Sequence, residues 1–286
     1  MAMTPAQPLD TGTRRLNPLR AAGREARASY AFVERNWNLT KRYWGWEIAF
    51  IIYSIASSMS IMFIGEAQGT ETSDLLLYLA IGTLVWSYLN SIFMNMAEMI
   101  AWERWEGTIE YTMMAPISRL THMLGQSVFA ITYAAIRAVI LLLALALFFN
   151  IDLGGANLSG AALVLAIGSL SFVGFGIVGA VLPLLFPEKG EQMTFIISSI
   201  LLLVSGVYYP VDVMPGWMQV LSKISPATYV LEAMRDAILD GKGTLALLPA
   251  TIPMIIIGAI TIPLGMTIFG YFERYAKRTG KLKRSG

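Results

Sequence analysis

HMLGQSVFAITYAAIRAVILLLALALFF, residues 122–149, holds one formal charge, Arg137, in a run of helix-forming and apolar residues. About 20 such residues carry a helix across the hydrocarbon core of a bilayer. The run shows no alternation of period two, so neither a strand nor a barrel wall fits it. Working outward, five more stretches of the same kind lie at 45–65, 75–97, 159–186, 191–209 and 248–272. They occupy most of the chain between residues 45 and 272 and leave little room for a catalytic domain. The composition agrees: 56% of the 286 residues are hydrophobic and 14% charged, where a soluble domain carries about a quarter charged. The expected fold is therefore all-α, a polytopic membrane protein with six transmembrane helices. Cysteine is absent and His122 is the one histidine, which excludes disulfides, thiolate metal sites and a histidine cluster.

The flanks set an expected orientation. Residues 1–28, rich in Pro, Gly, Ala and Arg, read as a mobile cytoplasmic tail with no secretory cleavage pattern, so the first span would insert the chain. From Tyr30 to Trp46, aromatic residues interleave with Arg35, Lys41 and Arg42, the composition of an interfacial helix. Arg14, Arg15, Arg20, Arg24 and Arg27 precede it, and Arg274, Lys277, Arg278, Lys281, Lys283 and Arg284 fill a basic tail at 273–286. Bases at both ends put both termini in the cytoplasm and require an even number of crossings. The connections at 66–74, with Glu66, Glu71 and Asp74, and at 150–158, with Asp152, carry no base and fit the outside. Residues 29–272 then form one transmembrane domain in a cell membrane, plasma or inner, with lipid as its surroundings. The net charge of +2 reads as orientation and not as nucleic-acid binding.

Several polar features interrupt the spans. GFGIVG at 174–179 matches G-x-G-x-x-G, but without a preceding strand its glycines read as sites of close helix approach. Arg137 lies where an unpaired charge is costly; a structural role and contact with a transported molecule both fit it. Thr83, Ser87, Asn90, Ser91 and Asn95 share one helical face, with a weaker face at Ser54, Ser57 and Ser58. Interhelical hydrogen bonding and the lining of a translocation path are the two uses of such a face.

Two connections carry the functional signal. Residues 98–121 hold Glu98, Glu103, Arg104, Glu106, Glu110 and Arg119, an acidic balance unusual beside the cytoplasmic leaflet. Such a surface calls for an external basic partner, with Trp102, Trp105 and Ile109 as an apolar contact face; a solvated loop is the plainer reading. Residues 206–241 stay apolar after the fifth span, yet Pro210, Pro215 and Pro226 forbid one continuous helix. Trp217, Leu221 and Ile224, then Val230, Met234 and Ala237, mark two short amphipathic helices, with Glu232, Arg235, Asp236 and Asp240 opposite the second apolar face. A re-entrant element satisfies the bilayer's demand that broken backbone be covered by protein; a surface loop is the alternative.

ERWEGTIEYTMMAPISR at 103–119 resembles the acidic E-R-x-x-G-T-x-E segment after the second span of type-2 family ABC exporter permeases. GVYYPVDVMPGWMQ followed by ISPATYVLEAMRD resembles that family's segment before the last span, and together the likeness covers about residues 28–272. It implies that 98–116 is the coupling helix docking on an ABC ATPase subunit, with Glu103, Arg104, Trp105, Glu106, Gly107, Thr108 and Glu110 in the contact. It also implies outer re-entrant helices that close the exit, with Tyr208, Tyr209, Pro210, Pro215 and Trp217 at the gate. The expected path residues are Ser87, Asn90, Ser91, Asn95 and Arg137. No cofactor is expected on this chain, since GKGT at 241–244 is no phosphate-binding loop; ATP and Mg would be bound by the partner ATPase. A second permease copy or a homologous permease would complete the pathway. The resemblance implies export, with drug or lipid-like cargo favoured over a polysaccharide or lipid-linked glycan. An ion-coupled secondary transporter needs intramembrane carboxylates and often an inverted repeat; Glu47 and Glu98 lie at the edges of spans and no repeat is visible.

Overall fold

The computed structural model describes residues 18–67, 73–151 and 154–282, and all regular structure in them is helical. Residues 1–17 of the expected tail, the middle of the 66–74 connection, Asp152 and the last four residues lie outside this description. Helix α1, Pro18–Arg42, starts inside the stretch expected to be a tail. Proline opens a helix without losing a needed hydrogen bond, and the Leu, Ala, Arg and Glu that follow are strong helix formers. A break at Tyr43 separates α1 from α2, Trp44–Glu66. A Cβ on Gly125 would overlap the Ser29 carbonyl, and that close approach lays α1 along α6.

Helix α3, Ser73–Ala97, occupies the centre. Two short helices follow, α4, Met99–Trp105, and α5, Ile109–Met114, joined at Gly107. Helix α6, Arg119–Phe149, then α7, Leu158–Gly179, and α8, Val181–Leu185, continue the bundle. The glycines of GFGIVG do serve helix contact: a Cβ on Gly174 would overlap Thr261, one on Gly176 would overlap Met96, and one on Gly179 would lie 3.0 Å from Ala97 Cβ. No strand precedes them, so the dinucleotide reading falls.

The expected fifth span ends early. Helix α9, Gly190–Val204, stops where Ser205 turns its hydroxyl onto the Leu201 carbonyl and the Ser225 hydroxyl and where Gly206 adopts φ +67°. A 3-10 turn, Val211–Val213, then α10, Gly216–Ser222, and α11, Pro226–Ile238, follow. Helix α11 buries Val230, Leu231, Ala233, Met234 and Ala237 against α3, α7 and the last helix. That depth excludes a loop lying loosely on the surface. In α10 Trp217 is 66% exposed and, just beyond its end, Ile224 is 61% exposed, while Met218 and Ser222 point inward. The apolar stripe of α10 faces away from the bundle, as a bilayer permits.

Helix α12, Thr244–Arg278, carries Pro249, Pro253 and Pro263 inside it and passes the expected boundary at 272. The charged end holds because Glu273, buried, meets Arg119 at 2.9 Å and Lys277 at 2.7 Å. Among the described residues five helical stretches are long and apolar enough to cross a membrane; α9, with 15 residues, is shorter. The protein is thus a multi-pass helical membrane protein.

Candidate functional site: a polar cleft and two anchored connections

The polar faces of α2 and α3 meet. Ser54, Ser57 and Ser58 on α2 and Thr83, Ser87, Asn90, Ser91 and Asn95 on α3 line one cleft of about 570 Å³, which α1, α6 and α9 complete. Its volume lies within the roughly 300–1,000 Å³ of small-molecule sites. Part of the stripe also bonds between helices, for the Ser198 hydroxyl donates to Asn90 Oδ1 at 2.6 Å. Asn95 instead donates to the Ser91 carbonyl one turn back. Tyr208 lies at one end of the cleft, and Tyr43, Glu98 and Trp102 at the other. Trp86, Phe50 and Phe195 supply apolar wall.

Arg137 reaches this cleft from α6. Its guanidinium donates to the Tyr133 hydroxyl at 2.9 Å and the Phe50 carbonyl at 3.3 Å, and Tyr133 in turn donates to Glu47 at 2.5 Å. Charge is balanced through one phenol, which accounts for an arginine at this depth. Glu98, one residue past α3, has no such balance. Burial, reinforced by the Glu191 carboxylate, pushes its carboxyl up to about 8.

The acidic connection finds much of its basic partner inside the chain. Glu103 is 0% exposed, and its carboxylate meets Arg35 at 3.0 Å and His122 Nε2 at 3.2 Å. Glu106 accepts from Arg42 at 3.2 Å and from the Tyr43 hydroxyl at 2.8 Å. The expectation that Glu103 faces outward is corrected, because α1 lays its bases across the connection. Arg104 is buried too, donating to the carbonyls of Leu184 and Lys281 at 2.9 and 2.8 Å. Arg119 bonds the Thr112 and Met113 carbonyls at the end of α5.

Gly107 turns the chain at φ +70°, where a Cβ is disfavoured. Thr108 closes the corner, its amide donating to the Glu103 carbonyl at 2.8 Å. The expected pairing of Trp105 with Ile109 fails because this corner separates them: Ile109 is 1% exposed and Trp105 73%. Trp105, Glu110, Tyr111 and Met114 are among the residues that the connection leaves exposed, as is Trp102.

At the other end, Tyr209 donates to the Leu203 carbonyl at 2.6 Å, Pro210 caps the 3-10 turn and Pro215 caps α10. Arg235, read from sequence as lying opposite the apolar face of α11, turns inward instead. Its guanidinium lies 3.6 Å from the Tyr78 ring centroid and donates to the carbonyls of Val207 at 2.9 Å and Gly206 at 3.2 Å. The available signal was its place one turn after the buried Leu231.

An all-helical bundle with apolar spanning helices, a polar cleft between them and a broken segment across one end defines a membrane permease. A family model described as ABC-2 type transporter matches residues 27–239. The chain belongs to the ABC-2 type transporter family. It is similar to the probable multidrug ABC transporter permease YbhR of Escherichia coli strain K12, 26% identical over 175 residues. The protein of the same name in Escherichia coli O157:H7 matches equally. The matched region covers 61% of this chain and 46% of those relatives, so the chain spans under half of their length.

Proposed function

We propose that this chain is the permease subunit of an ATP-driven exporter, and that the cleft between α2, α3, α6 and α9 is its half of the path for an amphipathic drug or lipid-like molecule. The observation that carries the reading is the meeting of two polar stripes with an aromatic wall in one cleft that ends at Tyr208. In this reading both termini and the α4–α5 corner are cytoplasmic, α9 completes six crossings, and the segment from Gly206 to Gly241 is the outer gate. The multidrug description of the similar permeases favours the same cargo class.

ATP and Mg belong to a separate ATPase, and two permease chains complete the pathway. The exposed Trp105, Glu110, Tyr111 and Met114 form the docking face, while Glu103 and Arg104 hold it to α1, α8 and the end of the chain. Displacement of the corner by ATPase closure then moves α1 and α3 together, shifting the cleft between inward and outward states.

The test is ATP-dependent efflux of an amphipathic dye from vesicles holding this chain and its co-expressed ATPase. Ser87→Trp, which fills the cleft, should abolish efflux with ATPase association intact. Trp105→Ala combined with Glu110→Lys should lower association about tenfold, the size of one charge-assisted contact. Normal efflux by the Ser87→Trp variant would refute the path.

A further inference from the structure

The charges along the cleft cancel at three places and remain at one. Arg35 is held by Glu103, Arg137 is linked through Tyr133 to Glu47, and Glu106, which accepts from Tyr43, is paired with Arg42. Tyr53 and Tyr208, the other titratable groups on the wall, are phenols. Glu98 and Glu191 are left. No hydrogen bond or ion pair reaches either carboxylate among the described residues, and Oε1 of Glu98 is buried without a partner. Lys189, two residues before Glu191, forms no ion pair among the described residues and does not line the cleft.

These two carboxylates come from different elements, the end of α3 and the exposed first turn of α9, and both line the cleft, Glu191 near enough to act on Glu98. Trp102, one turn past Glu98, and Phe195, one turn past Glu191, line this end of the cleft, and Trp86 lies further along α3. Glu191 opposes the ionisation of Glu98; an anion entering here would strengthen that opposition, and a neutral molecule would leave it unrelieved. A cation relieves it, and aromatic faces attract a cation further.

We propose that the cargo is a hydrophobic monocation, its charge held by Glu98 and Glu191 and its apolar body against Trp102 and Phe195. The inference rests on the reading of the cleft as the transport path and names what that path selects. The volume of about 570 Å³ suits one drug-sized molecule. An amine-headed amphiphile and a compact ring-bearing cation share the chemistry.

Tetraphenylphosphonium and tetraphenylborate have nearly the same size and shape and opposite charge. Their equilibrium binding to the full-length chain in nanodiscs, with binding to empty nanodiscs subtracted, tests the proposal. The native chain should favour the phosphonium by tenfold or more. The combined Glu98→Gln and Glu191→Gln variant should lose that preference, and Glu98→Asp, which keeps the charge, should retain it. Dodecyltrimethylammonium should compete with the phosphonium, and the tighter of the two tells a chain-bearing head group from a compact cation. Equal binding of both tetraphenyl ions to the native chain, or an unchanged preference in the double glutamine variant, would overturn the proposal. Ser87→Trp separates the two levels. If it leaves phosphonium binding intact, the cleft is not the path; if it removes binding while the glutamines change nothing, only the charge assignment fails.

Discussion

Glu98 shows how one unbalanced group leaves a trace in solution. Its carboxyl sits at about 8 in the folded chain, above the ordinary value of 4.5. A group raised in this way contributes stability below its unfolded value and loses that contribution as pH rises through its folded value. The native chain should therefore weaken between pH 4.5 and 8 relative to Glu98→Gln. Thermal unfolding in detergent should give the glutamine variant the higher midpoint at pH 9 and coincident midpoints below pH 4.5. Arg235 is the opposite case, a charge held by an aromatic face and two carbonyls. Removing it in Arg235→Ala loses the contact with Tyr78 and leaves the Gly206 and Val207 carbonyls unpaired. That change should cost about 2–4 kcal/mol of stability and expose the elbow after α9 to labelling. Arg235→Lys should recover only part, since a lysine cannot reproduce the planar fork.

At the scale of elements, a tight corner joins α4 to α5. Gly107 holds φ +70° there, a region that asparagine tolerates and β-branched residues do not. Gly107→Asn should keep ATPase association and coupled hydrolysis, whereas Gly107→Val should keep membrane insertion but lose coupling. Co-purification and stimulated ATPase activity distinguish these outcomes. Much of this connection could be read from sequence, because glycine between charged turns marks a break. The inward side of Glu103 could not, because its partners Arg35 and His122 are 68 and 19 residues away and only folding joins them. The same applies to the cleft: periodicity found each polar stripe, but the facing of α2 onto α3 is a tertiary fact. In α10 periodicity showed an apolar stripe but not its direction, since in a bilayer such a stripe can face lipid as readily as protein.

For the whole molecule, the proposed orientation puts Gly155 outside and Thr279 in the cytoplasm. Both are exposed, Gly155 has open space for a side chain, and the chain has no native cysteine. A cysteine at Gly155 should react with an impermeant maleimide in intact cells, and one at Thr279 only after permeabilisation. The reverse pattern would invert the topology.

The shortness of α9 has a consequence for the lipid around it. Its 15 residues rise about 22 Å, less than the ~30 Å of a typical hydrocarbon core, while α2 with 23 residues rises about 34 Å. One chain thus asks for two bilayer thicknesses on neighbouring sides of its cleft. Acyl chains beside α9 must tilt or shorten, drawing head groups toward the opening that α9 borders. Reconstitution in lipids of decreasing chain length should then favour transport until α2 becomes the mismatched helix, giving an optimum at intermediate thickness.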